Sequence, residues 1–314
     1  MMNNRILTLC LNPSIDIILL LNTISVYSKN IIEESHICYG GKGINVAYAL
    51  GKLSASVIAT GFTGKKDEKA FSIKLSSVGV KANLISVGGQ TRRTYKIVES
   101  ASGIDTEFNE KGFTVLPDEQ TRMTALLEYL LQNAEWLVLT GSLPPGIPDT
   151  FYESLTRQAR SRAVKVCLDA SGVALHAGAR AKPDILRINR FELGELVGAD
   201  LSDERAIVNA IKETVKSGIS NAAVSLGADG VIAAEHGTLF KVHSPAVDVK
   251  SLTGAGDAMT AGIIYQLSQG TDFQESTRFG AALATASVLR FEPGDFDPED
   301  LRKILQETVI EPVN

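Results

Sequence analysis

Apolar residues along this chain gather in short runs, at 6–11, 57–60, 136–140, 164–168, 185–188 and 222–226, each bounded by polar or turn-forming residues. Runs of this length, rich in Val, Ile and Leu with no polar alternation, predict strands buried on both faces. Between them the period changes. Residues 44–53 place Val46, Ala47, Leu50 and Leu53 on one helical face, and 118–131 repeat the same spacing. Strands alternating with helices predict βαβ units around a mostly parallel sheet, so the fold class is α/β.

Two stretches break this rhythm. Residues 16–37 and 94–109 alternate apolar with polar positions and are not separated by good helices. They predict a small sheet outside the main layer, either plain surface hairpins or a lid over a site that must exclude water. The last third changes again: 255–267 and 273–289 have helical patterns rich in Ala, Gly, Ser and Thr, small enough for close helix packing or for a flat slot beside a planar ring. No internal repeat or Pro/Ser-rich linker marks a boundary.

Composition narrows the field. With 314 residues, 44% hydrophobic and 21% charged, the chain can bury a full core as one large α/β domain or two smaller ones. A formal net charge of -5 argues against nucleic-acid binding, which needs clustered cations, but leaves room for a local basic pocket. Cys10, Cys38 and Cys167 are scattered, suggesting neither a disulfide framework nor a thiolate metal site. The first residues lack the basic start of a leader, and no stretch nears the roughly 20 apolar residues needed to span a bilayer. The expectation is a cytoplasmic protein without a membrane partner.

The strongest local signal is Leu252-Thr253-Gly254-Ala255-Gly256-Asp257, which follows an apparently extended run at 247–249 and opens an apolar helix. Glycines there let backbone N–H groups converge at a helix N-terminus, a place that attracts an anion. Asp257 in the same turn has two readings: a first-turn acid complementing the helix dipole, or a base beside an anion nest, as phosphoryl transfer requires.

A second cluster, Gly40-Gly41-Lys42-Gly43-Ile44-Asn45, also precedes a helix. It is not a dinucleotide fingerprint, because the third glycine of G-x-G-x-x-G falls on Val46, and it is not a Walker A loop. It offers amides, an ammonium and a side-chain amide to a polyhydroxyl ligand, or is a plain glycine turn. Along Thr91-Arg92-Arg93-Thr94-Tyr95-Lys96, the strand period puts Arg92, Thr94 and Lys96 on one face, where two cations could meet an anion or simply face solvent. Ser142 follows a buried strand in a Gly- and Pro-rich turn, where ligands of open α/β sheets gather.

Taken in order, Asn12 to Asp16, Gly40 to Val46, Thr91-Arg92, Gly141 to Gly146, Asn189 to Glu192, Ser225-Leu226-Gly227 with Gly230, and Thr253 to Asp257 resemble the ribokinase-like carbohydrate kinases. The branch they resemble holds fructose-1-phosphate kinase, tagatose-6-phosphate kinase and the B-type phosphofructokinase. The resemblance implies one three-layer α/β/α domain over residues 1–314, with lid strands inserted from about 16–37 and 94–109 and often used to form a homodimer. It implies ATP with Mg2+, and a possible K+ site. By that resemblance Asp257 is the catalytic base and Gly254, Ala255 and Gly256 the anion hole. Asp16, Gly41, Lys42 and Asn45 match positions that hold the sugar, and Arg92 and Ser142 fall where this branch contacts its phosphosugar. Asn189 and Glu192 organise Mg2+ through water, and Ser225, Gly227 and Gly230 line the nucleotide side.

The chain departs from the branch at Thr94, where Asn is usual, at Arg187, where Lys is usual, and at Arg290-Phe291-Glu292-Pro293-Gly294. These departures bear on the sugar and on the monovalent cation. The rival readings are a ribokinase-type or nucleoside kinase acting on an unphosphorylated acceptor, separable by the role of Arg92, and a silent ligand sensor, separable by ADP release.

Overall fold

The computed structural model describes residues 5–102 and 105–313. Residues 103–104, within the second expected lid segment, lie outside the described residues, as do 1–4 and 314. The chain opens with β1 (Ile6–Cys10), β2 (Ser14–Leu21) and β3 (Glu34–Gly40), followed by α1 (Lys42–Lys52), β4 (Val57–Gly64), α2 (Glu68–Ser76) and β5 (Lys81–Val87). Next come β6 (Arg92–Glu99), β7 (Asp105–Asn109), α3 (Pro117–Leu131), β8 (Trp136–Thr140), α4 (Phe151–Arg160), β9 (Lys165–Asp169) and α5 (Gly172–Arg180). Then β10 (Ile185–Asn189), α6 (Arg190–Val197), α7 (Glu204–Lys216), β11 (Asn221–Ser225), β12 (Val231–Glu235) and β13 (Thr238–His243) lead to α8 (Ala255–Ser268), α9 (Phe273–Ser287), α10 (Pro298–Glu307) and β14 (Val309–Pro312).

Ten strands form one sheet in the order β14-β13-β12-β11-β10-β9-β8-β1-β4-β5. From β11 to β5 every pairing is parallel, while β12, β13 and β14 are antiparallel. The alternating side chains of β1 show why the sheet needs cover on both sides. Leu7 and Leu9 pack with Met123 of α3, Tyr152 of α4 and Leu175 of α5, while Ile6 and Cys10 face Leu50 of α1 and Ala258 and Ile263 of α8. Helices on both faces of the sheet make the three-layer α/β/α arrangement that the resemblance implied. Among the described residues, no helix is long and apolar enough to cross a membrane.

The stretches that broke the rhythm form a separate four-stranded sheet, β3-β2-β6-β7. Its strands begin two residues earlier than expected, at Ser14 and Arg92, and residues 22–33 between β2 and β3 are turn and coil rather than extended strand. The expected extended run at 247–249 is not a strand either. The edge of the main sheet beyond β13 is taken by β14, so that run has no ladder to join.

One face of the small sheet is polar. Asp16 pairs with Thr94, Thr94 with Asn109, Ile18 with Lys96, and Lys96 with Glu107, and paired residues share a face. The opposite face carries Ile17, Leu19, Ile37, Tyr95, Ile97 and Phe108 in the same register.

Candidate active site

Where the polar face of the small sheet meets the C-terminal ends of the parallel strands lies a cavity of about 430 Å³. That is where open α/β sheets bind ligands. Asp169, Asn189 and Ser225 are the last residues of β9, β10 and β11, so the strands themselves deliver polar groups to one rim.

Asp257 stands in the first turn of α8 and lines the cavity although it is buried. Its Oδ2 accepts a 2.8 Å hydrogen bond from Asn45 Nδ2. Burial and the nearby Asp169 carboxylate push the Asp257 carboxyl up to about 7, against the opposing pull of Lys42, the Asn45 hydrogen bond and Arg187. A carboxylate with such a value is a far better base near neutrality than an unperturbed Asp, whose pKa is about 3.9.

The turn before it needs its glycines. Gly254 has φ of +82° and caps α8, and a Cβ there would stand 2.6 Å from Pro293 Cβ and 2.9 Å from Pro293 Cα. A Cβ on Gly256 would meet the Arg187 guanidinium, with Nη2 at 2.7 Å. The first N–H groups of a helix have no intrahelical acceptor, and that of Ala255 makes only a long 3.3 Å bond to the Leu252 carbonyl. Gly254 and Gly256 line the cavity, with Arg187 against Gly256. A carboxylate thus stands beside amides and a guanidinium able to hold an anion.

Beneath this turn lies an ionic centre that sequence reasoning missed. Asp169 is fully buried and accepts from Lys42 Nζ at 2.8 Å, Thr260 Oγ1 at 2.8 Å and Arg187 Nη1 at 3.2 Å. Burial alone would raise its pKa, but Lys42 and Arg187 hold the carboxyl below the usual carboxylate range. Arg187 Nη2 continues to Ser225 Oγ at 3.2 Å, and Lys42 lies 3.6 Å from Glu192 Oε1. Asp169 therefore links the glycine loop before α1 to the strand ends near Ser225. The signal for it was a single acid directly after the apolar run 164–168, the same position that Asn189 occupies after its strand.

The remaining expected site residues fall on two sides of the cavity. Asp16, Gly41, Lys42, Asn45 and Arg92 line it from the lid side and the first glycine loop, and Asn189 and Ser225 from the strand ends. Burial raises the Asp16 carboxyl above its usual range, with Ser14 and Arg92 opposing. Asn189 and Glu192 cap α6 reciprocally, Asn189 Oδ1 accepting from Glu192 N at 2.9 Å and Glu192 Oε2 from Asn189 N at 2.8 Å.

Five expected residues are not part of the cavity lining: Ala255 and Glu192, beside residues that are, and Ser142, Gly227 and Gly230. Ser142 is exposed and accepts from Asn12 Nδ2 at 3.1 Å. Gly227 and Gly230 bracket a single 3-10 turn after β11, and the Leu226 N–H donates to the Gly230 carbonyl at 2.8 Å. The divergent segment after α9 closes on the site instead. Phe291 stacks on His36 of β3 with centroids 4.4 Å apart, Glu292 pairs with Lys74, and Pro293 backs Gly254.

Comparison with known proteins agrees with this geometry. The 1-phosphofructokinases of Vibrio cholerae and Escherichia coli K12 are each 32% identical to this chain. The alignments cover 98% of this chain and 96% of the Vibrio protein, and 100% of both chains for Escherichia coli. The structure of Escherichia coli phosphofructokinase-2 in complex with fructose 6-phosphate superposes with a TM-score of 0.85 at 29% identity, covering 96% of this chain and 98% of that one. The same protein has been solved with potassium (TM-score 0.87) and as a tetrameric inhibited form (0.86), both at 28% identity, 96% of this chain and 98% of that one. Residues 11–300 match the pfkB family of carbohydrate kinases. With full-length relatives above 30% identity and a matching fold, this chain belongs to the pfkB family of carbohydrate kinases, the ATP-dependent sugar kinases.

Proposed function

We propose that this chain moves the γ-phosphoryl group of ATP onto a hydroxyl of a phosphorylated ketohexose: fructose 1-phosphate, tagatose 6-phosphate or fructose 6-phosphate. The observation that carries the reading is one cavity that holds both the Asp257 carboxylate beside the Gly254–Gly256 turn and a lid-strand guanidinium, Arg92. Asp257 orients the acceptor hydroxyl and takes its proton. The amides of the Gly254, Ala255 and Gly256 turn, with Arg187 against Gly256, hold the charge of the group in transit. A loose transition state lets proton removal follow bond cleavage, so positioning and electrostatics supply most of the rate.

Asp16, Gly41, Lys42 and Asn45 hold the sugar, and Arg92 its phosphate, with Ser142 joining when the lid closes. Ser225, Gly227 and Gly230 take the nucleotide side. Asn189 and Glu192 offer hard oxygen donors suited to Mg2+ through water, and the bound ion would supply neutralising charge on the phosphate oxygens. A K+ site belongs to the proposal on similarity alone, because Escherichia coli phosphofructokinase-2 has been solved with potassium. One catalytic domain spanning the chain, at work in the cytoplasm, completes the reading.

The test is ADP release over a panel of the three phosphosugars and their unphosphorylated counterparts. In the Arg92→Ala variant, KM for the phosphosugar rises about 10- to 100-fold, the loss of one charge-assisted phosphate contact, while KM for ATP stays put. Equal effects on free and phosphorylated sugars would favour the ribokinase-type alternative.

The outer face of the small sheet suits a second copy of this chain. Ile37 is 61% exposed and Phe108 57%, in register with Ile17 and Tyr95, and such a patch of apolar side chains is costly to leave in water. Light scattering should find a dimer in the parent protein and a monomer in the Ile37→Asp variant. A monomeric parent would remove the dimer from the proposal.

A further inference from the structure

Lys96 lies on the cavity side of β6, four residues beyond Arg92, and is nearly as buried as the core at 8% exposure. Its Nζ donates to Thr253 Oγ1 at 3.1 Å. Thr253 immediately precedes Gly254, the cap of α8, and lines the cavity with it. The lid sheet therefore carries an ammonium to the rim of the anion-holding turn. At about 3.3 Å per residue the Lys96 and Arg92 backbones are roughly 13 Å apart along one strand. Arg92 reaches along the row only as far as the pair between them, its Nη1 near Thr94 Oγ1 and Asn109 Oδ1, both at 3.4 Å. Across from Lys96, Glu107 accepts from Asn109 Nδ2 at 2.7 Å.

We infer that Lys96 is a catalytic residue that contacts the phosphoryl group being delivered, while Arg92 holds the phosphate the acceptor brings. The inference rests on the kinase reading above and extends it. One lid strand would then read a sugar from both ends, which selects an acceptor phosphorylated at one terminus and receiving its second phosphate at the other. A buried ammonium beside a ring of amides strengthens the field where negative charge moves, and it does so most in a site closed to water. The Thr253 hydroxyl, accepting from the ammonium, helps hold it at the rim of that turn.

The experiment compares Lys96→Met, Lys96→Arg, Thr253→Val and the parent protein in steady-state kinetics, together with direct binding of hexose monophosphate and hexose bisphosphate. Lys96→Met should lower kcat about 10- to 100-fold, within the range seen when one transition-state charge contact is lost, with KM for the monophosphate changed less than about 3-fold. Its affinity for the bisphosphate should fall at least about 10-fold and that for the monophosphate should not. Lys96→Arg should restore part of kcat. Thr253→Val, which keeps the cation but removes this hydrogen bond, should have a smaller effect than Lys96→Met. A Lys96→Met protein that melts like the parent yet keeps its kcat, or loses monophosphate and bisphosphate affinity equally, overturns the inference. If the parent turns over only unphosphorylated sugars, the proposed substrate fails alone, because Lys96→Met must still lower kcat on whichever sugar is used. A Lys96→Met protein that melts early is judged on Thr253→Val, whose unchanged kcat would likewise overturn the inference.

Discussion

Asp257→Asn lowers kcat by about 10²- to 10⁴-fold, the usual loss on removing a general base, and leaves ATP affinity near that of the parent protein. The same substitution should make the protein more stable at pH 8. The folded-state pKa of Asp257 is raised from 3.8 to about 7, so the folded protein holds this proton more tightly than the unfolded chain does. Stability is then unaffected below about pH 4, where both states are protonated, and is lost progressively as pH rises to about 7. An uncharged Asn escapes that loss while still accepting from Asn45. The gain at pH 8 is on the order of 1–4 kcal/mol and vanishes near pH 4, as read by urea denaturation at the two pH values. In the parent protein kcat/KM falls on the acid side of about pH 7 for the same reason. Near-normal turnover in Asp257→Asn would refute the base, and equal stability changes at both pH values would refute the raised pKa.

Asp169→Asn is expected to destabilise the fold by about 3–5 kcal/mol, because it removes the counter-ion of the buried Arg187 and leaves the half-buried Lys42 with only the longer contact to Glu192. Its depressed folded-state pKa means that its stabilisation is complete above the usual carboxylate range and fades as pH falls further. Parent and variant should therefore converge in acid. A second readout separates structure from chemistry: the Asp169 charge raises the pKa of Asp257, so in the variant the acid limb of kcat/KM should move to lower pH. An unmoved limb would mean that the two carboxylates do not feel each other.

Much of this site was legible in the chain itself. Uninterrupted apolar runs such as 136–140, bounded by turn residues, read as strands covered on both faces, and the alternation in parts of 16–37 and 94–109 reads as one-sided strands, so the two sheets were foreshadowed by periodicity while the coil at 22–33 was not. The face shared by Arg92, Thr94 and Lys96 also follows from a period of two, and all three reach the cavity. Gly254, Gly256 and Asp257 were visible because their chemistry is local: a turn that needs φ above zero, a helix N-terminus and an acid lie within four residues.

What only the tertiary structure decided is which distant groups share a charge. Asp169 is separated from Lys42 by 127 residues and from Thr260 by 91, and it has no local pattern because a single acid at a strand end looks like any strand terminus. The rise of the Asp257 carboxyl to about 7 likewise comes from burial and from that second carboxylate. Periodicity reports which face of an element is buried. The energy of a buried charge depends on separations of a few Å between side chains that the chain brings together only when the parallel strands line up and the first turn of α8 is set at their ends.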